Sequence, residues 1–136
     1  MAAELRAWCL CLLLVVITLI EATSSNTQLE CPSACKCTTG NVDCTLAGLG
    51  EWPIGLPSNT STLILSRNRL RRITKENLSI YPQLKKLVIS YNRIELIDKR
   101  LEHNQLETLD ISFNAVADLE FLFGLPKLRH LNATSN

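Results

Sequence analysis

The segment LKKLVISYNRIELI, Leu84 to Ile97, decides how the rest of the chain is read. Its apolar residues Leu84, Leu87, Ile89, Ile94 and Ile97 do not keep the three-to-four spacing of one helical face. Leu87 and Ile89 instead show the two-residue period of a strand. The middle therefore reads as a short strand, followed by a single asparagine, Asn92, inside an otherwise apolar stretch. Three further segments align on this asparagine: TSTLILSRNRL from Thr60, LETLDISFNAV from Leu106 and LRHLNATSN from Leu128. Asn68, Asn92, Asn114 and Asn136 are then separated by 24, 22 and 22 residues.

A fixed period of this length is the signature of a leucine-rich repeat. Leu63 with Leu65, Leu87 with Ile89, and Leu109 with Ile111 point inward from successive strands. Stacking the repeats builds a core that no single repeat can bury. The asparagines stand where the chain leaves each strand and turns inside the stack. An amide that both donates and accepts can satisfy backbone groups of its own and the adjacent coil, so the four asparagines read as a structural ladder. Between strands, Leu70 and Ile73, Ile94 and Ile97, and Val116 and Leu119 continue the inward set. Leu78, Tyr81, Leu101, Phe121 and Leu125 fill the outer wall. Pro82 and Pro126 each precede the opening leucine of a repeat by two residues, where a missing donor costs little.

The chain has 136 residues, 46% hydrophobic and 20% charged, which is the composition of one folded domain. Its start, MAAELRAWCLCLLLVVITLIEATSS, carries Arg6 ahead of an apolar run and then small residues at Ala22 and Ser24. This reads as a secretory leader cleaved after Ser24. The unbroken run is about 13 residues, short of the roughly 20 that cross a bilayer. Removing residues 1–24 takes away Arg6, Glu4 and Glu21, leaving 13 basic against 11 acidic side chains. A net charge of +2 is too weak to point to a nucleic-acid partner. The same cut leaves Cys31, Cys35, Cys37 and Cys44 in CPSACKCTTGNVDC. An even set of closely spaced cysteines after a leader implies disulfides, with three pairings open. The paired Cys-x2-Cys elements of zinc sites are absent, and neither a metal nor a cofactor is expected.

A solenoid needs capped ends, and the cysteine segment directly upstream of the first repeat is the N-terminal cap. Here the chain resembles the extracellular leucine-rich repeat family, whose N-terminal flanking module has the form Cys-x3-Cys-x-Cys-x6-Cys. The run LPSNTSTLILSRN, from Leu56, resembles that family's junction into the first repeat. The resemblance implies pairing of Cys31 with Cys37 and of Cys35 with Cys44. The resulting expectation is an α/β leucine-rich repeat solenoid with short parallel strands on a concave face. It has a leader over 1–24, a cysteine-rich cap over 25–58 and about four repeats over 59–136, the last incomplete. In that last repeat Ala133 replaces the second strand leucine, and no cysteine cap follows Asn136. The reading is therefore of a fragment, a truncated form or a short splice form of a longer protein.

Many binders share this architecture, so function has to be sought on surfaces. Each repeat offers the residues between its inward leucines, and the concave sheet is the ligand face the resemblance implies. Arg67, Lys85, Lys86, Val88, Tyr91, Glu107, Asp110, Phe113 and His130 are the candidate contacts, with Ser66, Ser90, Ser112 and Thr134 repeating one small polar position between them. Tyr91 and Phe113 share one column in adjacent repeats, and paired aromatics beside charge are typical of interface hot spots. The sequons at Asn59, Asn77 and Asn132 are candidate N-glycan sites, and a glycan on Asn132 would screen part of the concave face. The run RNRLRRITK clusters Arg67, Arg69, Arg71, Arg72 and Lys75, a composition that suits a sulfated glycan or an acidic lipid, although Glu76 and Glu95 are placed to neutralise it and favour a solvated face. Asp110, Ser112 and His130 lie on adjacent strands, but an open face without an oxyanion donor argues against catalysis. The expected function is non-catalytic recognition of an extracellular protein ligand or co-receptor by a receptor or adhesion ectodomain, attached to a membrane only through a segment outside this sequence. A short secreted decoy, immune or matrix factor is the alternative.

Overall fold

The computed structural model describes residues 31–136. The leader expected over 1–24 and the first residues of the expected cap lie outside the described residues. Six strands form one sheet in the order β1 (Lys36–Thr38), β2 (Asn41–Asp43), β3 (Thr62–Ile64), β5 (Lys86–Val88), β7 (Thr108–Asp110) and β8 (His130–Asn132). All neighbours from β2 onward are parallel, and only β1 runs antiparallel to its neighbour. On the return side of the coils, β4 (Arg72–Ile73) pairs with β6 (Leu96–Ile97). The longest repeat, between Asn68 and Asn92, also carries the short helix α1 (Lys75–Ser79). Thr74 caps α1 by accepting from the Asn77 N–H, and Asn77 Oδ1 accepts from the Thr74 N–H in return. The third repeat uses a 3-10 helix, Glu120–Gly124, in the equivalent stretch.

Register follows from the leucine spacing. Leu63, Leu87 and Leu109 are direct partners in successive strands, and Leu131 continues the column. Leu63, Leu65, Leu87, Ile89, Leu109 and Ile111 are all buried, and each contributes about 1.5–3 kcal/mol of hydrophobic stabilisation. Leu78, Tyr81, Leu101, Phe121 and Leu125 close the other side of the core. One expected inward residue departs: Leu119 is 46% exposed. It immediately precedes the 3-10 helix, and Phe121, two residues later, turns inward in its place. Leu131 is 38% exposed, since no described coil packs on its far side.

The asparagines repeat one hydrogen-bond pattern four times. Asn92 Nδ2 donates to the Leu65 carbonyl of the preceding coil at 2.9 Å and to its own Ile89 carbonyl at 3.0 Å. Its Oδ1 accepts from the Leu70 N–H at 3.0 Å. Asn68 serves Cys44, Leu65 and Leu49 in the same way, Asn114 serves Ile89, Ile111 and Ile94, and Asn136 serves Ile111, Ala133 and Val116.

The cap is joined by two disulfides, Cys31–Cys37 and Cys35–Cys44. It is also a coil in its own right. β2 pairs with β3 so that Val42 lies beside Leu63, and the Cys44 N–H donates to the Ile64 carbonyl at 2.8 Å. Val42 and Cys44 occupy the two inward columns that leucines fill elsewhere, and both are buried. The sheet therefore runs on from the cap strand β2 into the first repeat strand β3. Gly124 marks the tightest packing of the outer wall: a Cβ there would lie 1.6 Å from the Leu101 carbonyl oxygen.

His103, which pattern reading missed, and the hydroxyl of Tyr81 bring buried polar groups into the wall. His103 Nδ1 accepts from the Gln105 N–H, so Nε2 carries the proton and donates to the Tyr81 carbonyl at 2.9 Å. The Tyr81 hydroxyl is buried near the indole of Trp52, and neither makes a well-formed hydrogen bond. Burial raises the Tyr81 phenol above its ordinary value, with a smaller opposing effect from Trp52.

Two outcomes follow from these interactions. Asn92→Ala leaves the Leu70 N–H without a partner and takes one of two amide donors from each of the Leu65 and Ile89 carbonyls, and should cost about 1–3 kcal/mol. Asn92→Asp should be at least as damaging at neutral pH, because a carboxylate cannot donate to either carbonyl. Chemical denaturation of both variants measures this, and a midpoint equal to the parent's would remove the asparagine from its structural role. The phenol of Tyr81 stays neutral in the folded state while the unfolded chain ionises near pH 10, so its contribution to stability is constant below that value and is lost as pH climbs past it. The chain has two tyrosines. A Tyr91→Phe variant therefore reports on Tyr81 alone, and tyrosinate absorbance should rise only above pH 10, together with unfolding.

Candidate functional site

The strand register fixes what the concave face presents. One column runs Asn41, Thr62, Lys86, Thr108, His130, and the next runs Asp43, Ile64, Val88, Asp110, Asn132. Each of these side chains alternates with a buried leucine or its equivalent, so it faces away from the core. Ile64, Lys86, Val88, Thr108, Asp110, Arg129, His130 and Asn132 line a shallow open depression of ≈ 630 Å³ on this face. Val88 gives it an apolar floor between Lys86 and Asp110.

The predicted contacts do not form a single cluster. Lys86, Val88, Asp110 and His130 meet on the sheet. Lys85 and Glu107 lie one step earlier, where the chain enters the strands, and the Lys85 carbonyl accepts from the N–H groups of Glu107 and Thr108. Lys85 borders a separate depression of ≈ 470 Å³ with Ser61, Pro82, Gln83 and Gln105. Arg67, Tyr91 and Phe113 occupy the opposite edge, where the strands end. There the two rings stack with centroids 4.2 Å apart and planes 9° from parallel. The Arg67 guanidinium lies over the Tyr91 ring at 4.9 Å, a cation–π contact that extends the stack across three coils.

Backbone geometry at this edge was not visible in the residue pattern. Leu46, Arg67, Tyr91, Phe113 and Ser135 all have φ between 54° and 60°. Their N–H groups point along the stack: Leu46 donates to Ser66, Arg67 to Ser90, Tyr91 to Ser112 and Phe113 to Thr134. Each position immediately precedes the ladder asparagine, or in the cap Ala47, and the left-handed residue turns the chain so that the amide can enter the stack. Substitution patterns alone carry one signal for it, the fixed offset of one residue before each asparagine.

Two serines read as exposed are in fact buried: Ser90 is 8% and Ser112 3% exposed. Ser90 and Ser66 share a hydroxyl contact at 3.1 Å. Ser112 donates its hydroxyl and its N–H to Asp110 Oδ1, at 2.6 and 2.9 Å. These contacts draw the small polar column down between the coils and engage one oxygen of Asp110. The cap repeats the motif, with the Thr45 hydroxyl and N–H on Asp43 Oδ1. Those bonds hold the Asp43 carboxyl below the usual carboxylate value, with Lys36 adding a smaller effect and burial opposing it. His130 lies in the other column, beside Thr108, so Ser112, Asp110 and His130 do not form a proton relay.

The three sequons differ in setting. Asn59 is exposed in a turn and Asn132 is exposed on β8, while Asn77 is half-buried. Asn77 uses its carbonyl oxygen in the α1 cap. The basic run also separates. Lys75 is held by Glu102 at 3.0 Å, and the Glu76 carboxyl is held below its ordinary value by its own backbone N–H and then by Thr74. Neither residue belongs with the arginines.

Among the described residues, no helix is long and apolar enough to cross a membrane. A family model described as leucine rich repeat matches residues 58–116 and 82–136. The human leucine-rich repeat-containing protein 3B is 34% identical over 117 residues, covering 82% of this chain and 45% of that protein. Tsukushi-A of Xenopus laevis is 35% identical over 126 residues, covering 78% of this chain and 35% of its own length. The human leucine-rich repeats and immunoglobulin-like domains protein 3 is 28% identical over 131 residues, which is 78% of this chain and 12% of that protein. The chain thus spans less than half the length of these relatives. Repeat period, asparagine ladder, disulfide-linked first coil and family match agree, and the chain belongs to the leucine-rich repeat family.

Proposed function

We propose that this chain is an extracellular protein-recognition module that binds a protein ligand on its concave face. The observation that carries the reading is the pair of exposed columns through Lys86 and Val88, in which apolar, basic and acidic side chains are set at fixed one-coil intervals. Mixed chemistry on a rigid support is what a specific interface requires, since little ordering cost opposes binding. The two disulfides favour an oxidising compartment, in keeping with a cleaved leader over 1–24. The cap over 25–58 and the repeats over 59–136 then act as one rigid unit.

Arg67, Tyr91 and Phe113 at the strand ends, and Lys85 and Glu107 at the strand starts, form the rim of this interface. A glycan on Asn132 confines the ligand to the side nearer the cap, whereas glycans on Asn59 and Asn77 leave the strand face open. A receptor or adhesion ectodomain is the setting favoured over a short secreted factor. Relatives whose names join leucine-rich repeats to immunoglobulin-like domains support that preference. A contact with sulfated glycan belongs to the same reading, supported by Arg67, Arg69, Arg71, Arg72 and Arg93, which form no salt bridge among the described residues.

The test uses the full chain, secreted from cultured cells and applied to an array of extracellular protein domains. A variant carrying Lys86→Glu and Asp110→Lys should lose more than about tenfold in affinity for any domain the parent binds, because central charges at an interface are worth about 2 kcal/mol or more. Lys99→Glu, on the outer wall, should leave binding intact. Full retention by the concave variant would overturn the assignment of the ligand to this face.

A further inference from the structure

Ionic pairing divides the surface. On the outer wall Lys99 bridges Asp118 and Glu120 at 3.0 and 2.8 Å, Arg100 contacts Asp98 and Lys75 contacts Glu102. Hydrogen bonding to Glu120 first, and then to Asp118, raises the Lys99 ammonium above its ordinary value. The edge where the strands end is different. Arg67, Arg69 and Arg93 at that edge, and Arg71 and Arg72 where the coil passes to its return side, are all exposed, and none forms a salt bridge among the described residues. Glu95, whose N–H donates to the Arg71 carbonyl, also forms none.

The ladder sets these arginines in two parallel rows. Arg67 heads the row that continues through Tyr91 and Phe113, immediately before the asparagines. Arg69 and Arg93 form the row immediately after them: the Arg93 N–H donates to the Leu70 carbonyl at 2.9 Å, and the Arg69 N–H to Leu49 at 2.8 Å. Register places Arg69 and Arg93 in adjacent coils, about 5 Å apart along the stack. Guanidinium groups carried on backbones this close can be bridged by one anion, with paired N–H donors suited to an oxyanion.

Resting on the glycan contact proposed above, we infer that this edge, and not the strand face, is a binding site for a linear sulfated polysaccharide, held by Arg67, Arg69 and Arg93 and extended by Arg71 and Arg72. The shape of the site selects this occupant over an acidic protein. Interface anchors of proteins fill desolvated pockets, and the two depressions near the strands are lined by other residues. A row of exposed guanidinium groups suits a chain whose sulfates are presented at intervals along its length. Tyr91 and Phe113 add apolar ring surface for the sugar backbone along the same row.

The experiment compares the full secreted chain with an Arg67→Ala, Arg69→Ala, Arg93→Ala variant on immobilised heparin and on a plain sulfonate exchanger. All three side chains are exposed, and equal melting temperatures will show that the variant is folded. The parent should be retained by heparin at physiological salt, and the variant should bind heparin roughly tenfold more weakly. A Lys99→Ala, Lys127→Ala control should match the parent. Retention of the triple variant equal to the parent's would overturn the site while leaving a glycan contact elsewhere. No retention of the parent would overturn both. Equal losses on the two matrices would reduce the effect to charge exchange, and competition by poly-glutamate as effective as by a heparin oligosaccharide would make an acidic protein the occupant.

Discussion

A primary amide at the end of each strand is the interaction on which the rest depends. Coils stacked about 5 Å apart leave no room for water between them, yet the chain must stop being a strand and turn back. At that turn, N–H and carbonyl groups of two coils face inward with no strand partner. Asn68, Asn92 and Asn114 each answer with a donor pair directed at one carbonyl of the preceding coil and one of their own, and an oxygen that accepts from one N–H. Aspartate lacks the donors, serine lacks the reach, and glutamine would have to lose an extra rotor. The spacing of the whole fold is therefore set by one side chain, and the leucines only have to fill the space that spacing defines.

The first coil shows the same constraint from its other side. Ala47 stands where the ladder would place an asparagine, 21 residues before Asn68. No described coil precedes it, so an amide there would meet no buried carbonyl of a preceding coil. Alanine serves because there is nothing to satisfy. Cys44 likewise replaces a strand leucine, and in doing so it both fills the core column and anchors Cys35. The antiparallel hairpin of β1 on β2 then covers the sheet edge that would otherwise expose unpaired backbone groups. Disulfide, hairpin and alanine are three parts of one solution to ending a stack.

Legibility in the sequence follows this physics. The strand leucines and the asparagines were readable because identical demands recur in each coil and leave identical residues. The cap's identity as a coil was hidden, since valine, cysteine and alanine replaced the diagnostic residues, although Val42, Cys44 and Leu49 keep the spacing of Leu63, Leu65 and Leu70. Burial of Ser90 and Ser112 was not readable, because a small hydroxyl fits either water or a neighbouring coil and only the packing decides. His103 was not readable either, since its role depends on the Tyr81 carbonyl 22 residues away. For the candidate surface, residue identities were legible but their grouping was not. Lys86 and Tyr91 lie five positions apart in the chain, yet one faces the sheet and the other belongs to its edge.

That edge carries the sharpest conflict between local preference and fold. A left-handed backbone at a bulky residue costs about 1–2 kcal/mol, and glycine or asparagine would avoid most of it. Arg67, Tyr91 and Phe113 nevertheless hold φ of 58°, 54° and 54°. The ladder fixes the backbone there whatever the side chain, through the N–H bonds to Ser90, Ser112 and Thr134. Mutual stacking recovers part of the cost, about 0.5–1.5 kcal/mol for an aromatic pair. The remainder is not accounted for by packing, because both rings stay more than two-fifths exposed. Strain kept at an exposed site by a backbone that would tolerate smaller residues is better explained by what the side chains touch than by what they hold together. The asparagine ladder thus has a second consequence beyond stability. It converts the position before each amide into a row of fixed mounts, one per coil, on which side-chain chemistry differs from coil to coil without disturbing the core.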